Sequence, residues 1–163
     1  MNITLIAAVG KNKELGKDNT LIWSITDDLM FFKENTMGKT IVMGMNTLKS
    51  LPKLLPNRKH IVLTRKNVEL DSSIVVVHSI DELLTYIESL NEEVMIIGGA
   101  QIYKQMIGYA NKMLLTEIND SHDADVYFPS FSLDDWDREV NSSHQYNDIN
   151  YSHVTYTRKR KKY

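Results

Sequence analysis

Cysteine is absent from the chain, which removes disulfides, thiolate catalysis and every Cys-based metal site at once and is compatible with a reducing cytoplasm. The five histidines, His60, His78, His122, His144 and His153, are scattered without ligand spacing, so each is expected at the surface or in a loop and no metal is implied. Charge of one sign is missing too: 19 basic against 21 acidic side chains leave a net charge of -2. The only basic run, Arg158 to Lys162, lies at the C-terminal end, so nothing favours a nucleic-acid partner. No apolar stretch is long enough to cross a bilayer; Asn2 to Val9 is too short for that or for a usual secretion signal and reads as a strand. No repeat, low-complexity tract or linker divides the chain. Its 163 residues, 42% hydrophobic and 25% charged, suit one globular domain burying about two-thirds of its unfolded surface.

What the sequence does contain is concentrated between Trp23 and Leu51. Ile25, Asp28, Leu29 and Phe32 recur as i, i+3, i+4 and i+7, one face of an amphipathic helix. Asp28 lies inside that apolar stripe, whereas Asp27 falls on the opposite side with Lys33 and Glu34, and Ser24 with Asp27 reads as a weak capping box. An ionised carboxylate on a core face costs several kcal/mol or more unless it is paired, so Asp28 needs a partner or a task. The alternative is a half-exposed acid at a helix start, favoured there by the dipole.

Along the chain, NITLIAAV is nearly continuous in apolar residues and suits a central strand covered on both faces. The polar connection from Gly10 to Ile22 has no periodicity and reads as a lid leaving that strand. TIVMG, HIVLT, IVVVH, VMIIGG and KMLLTEI are further strands, alternating with the helices MNTLKSL, SIDELLTYIESL and AQIYKQMIGYA. Ser79 caps the second of these, with Glu82 completing a capping box and Ile80, Leu83, Leu84 and Ile87 forming its buried face. The tail alternates polar and apolar residues, as antiparallel strands added at an edge do. This pattern specifies an α/β sheet with ligands at the carboxyl ends of its strands. At Gly44 and at Gly98-Gly99 a strand passes through glycine into a helix, presenting backbone N–H groups and a positive dipole end. Neither is a G-x-G-x-x-G fingerprint and one such turn is as readily a mere tight turn, but two of them with Thr64-Arg65 suit a phosphate-bearing ligand.

LIAAVGKN, LGKDNTLIW, DDLMFFKENT, IVMGMNTLKSL, LPNRKHIVLTR, IIGGAQIY, LTEI and DADVYFP occur in the order and at the spacing of the bacterial dihydrofolate reductases, which the chain resembles from end to end. The resemblance implies an α/β fold: an eight-stranded, mostly parallel sheet with an antiparallel C-terminal edge strand and four flanking helices. It implies a single domain over residues 1–163, with residues 39–91 as an adenosine-binding subdomain and the rest a loop subdomain. The implied reaction is NADPH-dependent reduction of 7,8-dihydrofolate to 5,6,7,8-tetrahydrofolate by a cytoplasmic monomer, with dihydrofolate and antifolate inhibitors as partners.

By the same resemblance, Asp28 is the only ionisable group of the pteridine pocket and holds the pterin's 2-amino group and N3. Thr116 is its hydroxyl partner, and Trp23 is the indole holding an ordered water beside it. Ile6, Ala8, Leu29, Phe32, Leu51, Leu55 and Ile97 line the folate site, Arg58 pairs with the glutamate tail, and Tyr103 is an aromatic beside the site. Ala8, Leu15, Asn19 and Leu21 surround the nicotinamide and its ribose, Leu21 counting also with the catalytic set. Gly44, Met45, Asn46, Thr47, Gly99, Ala100, Gln101 and Ile102 form the pyrophosphate cradle, and Leu63, Thr64, Arg65 and His78 lie where the adenosine 2′-phosphate is read.

Departures from the family pattern are visible. Ile22 stands where most members have proline, which removes a fixed φ from the lid's hinge, and Thr26 replaces a common helix-start proline. Met45 stands where many members place an arginine on the cofactor phosphates. Two other readings are weighed against the reductase: a same-fold reductase of another pterin or a ribosylated pyrimidine, against which the Asp28, Phe32 and Arg58 set argues, and a non-enzymatic nucleotide-binding module.

Overall fold

Apolar runs bounded by glycine, proline or polar turns supply the strands, and amphipathic segments between them supply the crossovers. The computed structural model describes residues 1–17 and 20–159, with the backbone alone for Thr20 and Leu21. In chain order the elements are β1 (Asn2–Val9), β2 (Glu14–Lys17), β3 (Thr20–Leu21), α1 (Thr26–Thr36), β4 (Thr40–Gly44), α2 (Met45–Ser50), β5 (Lys59–Leu63), β6 (Val75–Val77), α3 (Ile80–Leu90), β7 (Glu93–Gly98), α4 (Ala100–Met106), β8 (Lys112–Ile118), β9 (Val126–Tyr127), β10 (Trp136–Tyr146) and β11 (Ile149–Arg158).

Eight strands make one sheet in the order β10-β11-β8-β1-β7-β4-β5-β6. Strand β1 is interior and parallel to both neighbours, as its unbroken apolar run requires. Parallel pairing continues through β4, β5 and β6, while β11 runs antiparallel to β8 and β10 antiparallel to β11. The expected fold class is therefore the observed one. Leu5, Val42, Ile61, Ile96 and Leu115 share the core with Leu83 and Ile87 of α3 and Ile102, Tyr103 and Met106 of α4. A separate cluster, Ile6, Ile41, Met43, Val62 and Met95, is covered by Phe31 and Phe32 of α1 and by Met45 and Leu48 of α2.

Helix α3 follows its sequence signals: the Ser79 hydroxyl accepts from Glu82 N at 3.0 Å, and Leu83 and Ile87 are buried. The Glu82 carboxylate reaches back to His78 N at 2.9 Å, one residue before the N-cap. At α1 the expected Ser24–Asp27 capping box is absent. Ile25 is the N-cap and makes no side-chain cap bond; its carbonyl accepts from Asp28 N and Leu29 N, both at 3.1 Å. The two first-turn acids are engaged by the sheet instead, so tertiary contacts hold this helix start.

The connection read as a lid without regular structure contains β2 and β3; β2 pairs with β3 on one edge and with β9 on the other in a separate three-stranded sheet. Glu14, 1% exposed, holds its base: its carboxylate accepts from Asn12 N at 2.6 Å and from His122 N at 2.9 Å. A strand of four residues whose partner lies more than a hundred positions away leaves no periodic trace.

Candidate active site

Strand register builds the centre of the cleft. Ala8 of β1 pairs with Thr116 of β8, Thr116 with His153 of β11, and His153 with Ser142 of β10, giving one row across four strands. Asp28 of α1 meets this row: the Thr116 hydroxyl donates to Asp28 Oδ1, and His153 Nε2 lies 3.4 Å from the same oxygen. The carboxylate side chain keeps 20% of its surface. The puzzle of an acid within an apolar stripe is resolved by pairing at a partly open site. Asp27 is a separate case, accepting from the Tyr151 hydroxyl at 3.1 Å on the exposed side of the helix start. Burial first, and then this bond and the charges of both acids, push the Tyr151 phenol up to about 12.

Most of the apolar residues assigned to the folate site fall into two packed clusters. Ile6 lies in the cluster under α1 and α2, and Phe32, Leu51, Leu55 and Ile97 pack against it. Ala8 packs with Ile25, Ile118 and Tyr151, alongside Trp23. Leu29, expected on the buried stripe, is 54% exposed. Phe31 takes the inward position instead, its ring stacked on His153 at 3.8 Å between centroids. Tyr103 is buried rather than facing a ligand: its hydroxyl donates to Ile6 O at 2.6 Å, and burial drives its phenol far above the ordinary value, keeping it a neutral donor.

Arg58 has a structural role that its resemblance to a tail-binding arginine does not suggest. Nε donates to the buried Thr36 hydroxyl at 2.8 Å, Nη1 to Pro56 O at 2.9 Å and Nη2 to Lys33 O at 3.3 Å, tying the end of α1 to the loop before β5. Arg58 therefore has work in the fold whether or not an acidic tail is bound. Beneath the same loop, His60 is 4% exposed; Leu55 N donates to Nε2 and Nδ1 donates to Arg58 O, each at 3.1 Å. Burial, with the nearby Arg58 charge, pulls its imidazole below the ordinary value, so it stays a neutral clamp.

On the other side of the cleft, register sets Met43 of β4 opposite Gly98 of β7, which brings the Gly44 and Gly98–Gly99 turns together. A Cβ on Gly44 would stand 3.4 Å from Ile102 Cγ1, and one on Gly98 3.4 Å from both Thr47 Oγ1 and Tyr103 Oη. Gly98 has φ +125, a conformation side chains resist, and its peptide to Gly99 is cis. Gly44 and Gly99 are the N-caps of α2 and α4. Met45, Asn46 and Thr47 open α2, and Ala100 and Gln101 open α4. Ile102 N is spent on Gly99 O at 3.0 Å, so Ile102 serves the cradle by packing and not as a donor. Met45 is partly buried and packs on the core beneath α2. Leu63 ends β5 and Thr64 follows it, and the His78 ring just after β6 donates from Nδ1 to Thr64 O at 2.8 Å, beside the exposed Arg65.

Trp23 departs from expectation. Its indole N–H donates to Asp120 Oδ2 at 3.0 Å, a direct charge-assisted acceptor in the connection after β8, instead of turning toward Asp28. Leu15 of β2 packs against the main core. Asn19 lies outside the described residues, as does the side chain of Leu21. Two residues that carry the site were missed, His60 and His153, both assigned to the surface or loops and both buried. A signal existed for the second: in an alternating strand His153 shares parity with Tyr151, but what that face covers depends on pairing with β8. Among the described residues no group of acidic and imidazole side chains could hold a metal, and no helix is long and apolar enough to cross a membrane.

A family model described as dihydrofolate reductase matches residues 2–160. Among curated proteins, a dihydrofolate reductase of Buchnera aphidicola subsp. Acyrthosiphon pisum is 41% identical over 157 residues, covering 93% of this chain and 96% of that protein. One from Bacillus subtilis is 36% identical over 160 residues, covering 96% and 95%. Among solved structures, the dihydrofolate reductase from Enterococcus faecalis complexed with NADP(H) and RAB-propyl superposes with a TM-score of 0.89 at 28% identity, covering 98% of this chain and 97% of that one.

Proposed function

The chain belongs to the dihydrofolate reductase family, whose reaction is NADPH-dependent reduction of 7,8-dihydrofolate to 5,6,7,8-tetrahydrofolate, and from that premise we propose how its residues divide the work. Asp28 holds the amidine edge of the pterin, the 2-amino group and N3, through its carboxylate. The observation that carries this is a single partly exposed acid, fixed by the Thr116 hydroxyl, at an otherwise apolar wall. An acceptor-only carboxylate matches two adjacent donors, and fixing it in advance lowers the cost of alignment. Ile6, Ala8, Phe32, Leu51, Leu55 and Ile97 exclude water around the ring, and Leu29, 54% exposed in the free chain, joins them. Arg58, already aligned by its bonds to α1, offers its remaining N–H groups to the tail carboxylate.

The residues present fit NADPH. Two strand–glycine–helix turns, one of them with Gly98 at a φ that side chains resist, leave backbone N–H groups for a pyrophosphate, with the Thr47 hydroxyl beside Gly98 and Gly99. Arg65, Thr64 and His78 gather at adjacent strand ends for a 2′-phosphate. Bound there, the cofactor supplies the hydride. The chain's own part is alignment and dryness: the connection from Gly10 to Ile22, anchored through Glu14 and by Trp23 on Asp120, shields the nicotinamide side from water. Residues 39–91 serve as the adenosine-binding subdomain, and the protein works as a cytoplasmic monomer. The test is the loss of reduced-nicotinamide absorbance when protein, NADPH and dihydrofolate are mixed. Turnover that needs both reactants and falls sharply in Asp28→Asn supports the reading, and its absence overturns it.

A further inference from the structure

The cross-sheet row does not end at Asp28. From the carboxylate it runs outward through His153, whose Nδ1 lies 3.4 Å from Ser142 Oγ, to His144, whose Nε2 lies 2.8 Å from the same hydroxyl. His144 is exposed, whereas His153 is 7% exposed and its Nε2 is fully buried without a hydrogen-bond partner, 3.4 Å from Asp28 Oδ1. The ring is held by Phe31, parallel within 9° at 3.8 Å. We propose that His153 is a positioning residue for the pterin-binding carboxylate, holding Asp28 from the sheet side and linking it through Ser142 and His144 to solvent at the outer edge of the sheet. The inference rests on the role assigned above to Asp28.

One arrangement of protons orders the row: His144 Nε2–H to Ser142 Oγ, Ser142 O–H to His153 Nδ1, and a proton on His153 Nε2 beside Asp28 Oδ1 at 3.4 Å, a polar contact that is not an aligned hydrogen bond. Every donor then points toward the carboxylate, and hydrogen bonds so ordered reinforce one another. Thr116 and His153 converge on Oδ1, so neither commits Oδ2. The groups facing His153 are Asp28 and Asp27 on α1, His144 across on β10 and Tyr151 on its own strand, with the uncharged Thr116 on β8. Burial pulls the His153 imidazole below its ordinary value against the opposing pull of the Asp28 charge, which favours the neutral ring this arrangement needs. A phenylalanine would stack on Phe31 equally well, so packing alone gives no reason for imidazole here.

The decisive measurement is the Asp28 titration midpoint, followed by carboxyl-carbon NMR on the full-length chain. Removing the donor in His153→Phe should raise that midpoint by about half to one pH unit, the worth of one hydrogen bond. Well below both midpoints the ionised fraction, and with it kcat/KM for dihydrofolate, is roughly three- to tenfold lower than in the unaltered chain. His153→Gln should recover part of the shift. Ser142→Ala leaves His153 and its packing in place and should move the midpoint in the same direction by less, separating the row from a general change of polarity. Imidazole nitrogen spectra should find the His153 proton on Nε2. A proton on Nδ1, or an unmoved midpoint in folded His153→Phe and Ser142→Ala, overturns the inference. If Asp28→Asn retains turnover while His153→Phe moves the midpoint, the pterin-holding role of Asp28 falls and the coupling of His153 to Asp28 stands.

Discussion

Around Asp28 the cleft is made by side chains, with Thr116, His153 and Phe31 converging from β8, β11 and α1, whereas around Gly44 and Gly98–Gly99 it is made by backbone from which side chains are withheld. The first region recognises by placing one charge among apolar groups, so it is sensitive to isosteric changes of that charge. The second recognises by close approach of amide groups, so it is sensitive to added bulk and indifferent to much else. Arg58 and Arg65 sharpen the contrast. The first is tied into the fold by three side-chain bonds, and the second is an exposed side chain at a strand end.

The largest effect is expected at the charge itself. Asp28→Asn should lower turnover by about a hundredfold or more at neutral pH with the fold intact, since hydrogen bonds to a charged group are each worth about 1.5–3 kcal/mol. Asp27→Asn should cost little beyond its bond from Tyr151. Steady-state rates for the two variants test the assignment, and the reverse ranking would exchange the two acids.

Arg58→Leu should weaken dihydrofolate binding by about 2–3 kcal/mol with a milder effect on NADPH, as loss of a charge-assisted pair requires. It also removes the clamp on Thr36, so a melting curve belongs beside the titrations; equal losses for both ligands with a lowered Tm would assign Arg58 to structure alone. Arg65→Ala, with no such clamp, should reduce the NADPH/NADH ratio of kcat/KM by roughly one to two orders of magnitude at unchanged Tm. An unchanged ratio would pass the 2′-phosphate to Lys66 or His78.

Gly98→Ala probes the backbone half. A side chain at φ +125, pressed between Thr47 and Tyr103, should cost about 1–3 kcal/mol of stability and weaken NADPH more than dihydrofolate. Calorimetric titration of each ligand would show which loses more.

The smallest effect is a pH dependence at His60. Its folded value lies below the ordinary 6.5, so in acid the unfolded chain binds more protons than the folded one and stability rises with pH. The clamp on Leu55 and Arg58 should weaken as pH falls from the ordinary imidazole value toward the lower folded one. His60→Asn should flatten that part of the stability profile in denaturant titrations between neutral and mildly acidic pH.

Local pattern made much of this legible. The apolar run of β1, the Ser79 cap, the two strand–glycine–helix turns and the misplaced polarity of Asp28 are each properties of a few adjacent residues, and the structure keeps them. The resemblance to a family added roles for positions such as Thr116 and Arg58 that no local pattern marks. Hidden were features made by strand pairing at long range: the β2–β3–β9 sheet, the burial of His60 and His153, and the turning of Trp23 to Asp120.

Periodicity by itself determined most of the main-sheet strands and the helices, and the buried face of α3, because burial repeats at the spacing of the backbone. Only the tertiary structure decided that Ala8, Thr116, His153 and Ser142 stand in one row beside Asp28. Register between strands far apart in sequence is set by the packing of the whole sheet, and a histidine is a surface side chain or a buried partner of a carboxylate according to what that register places opposite it.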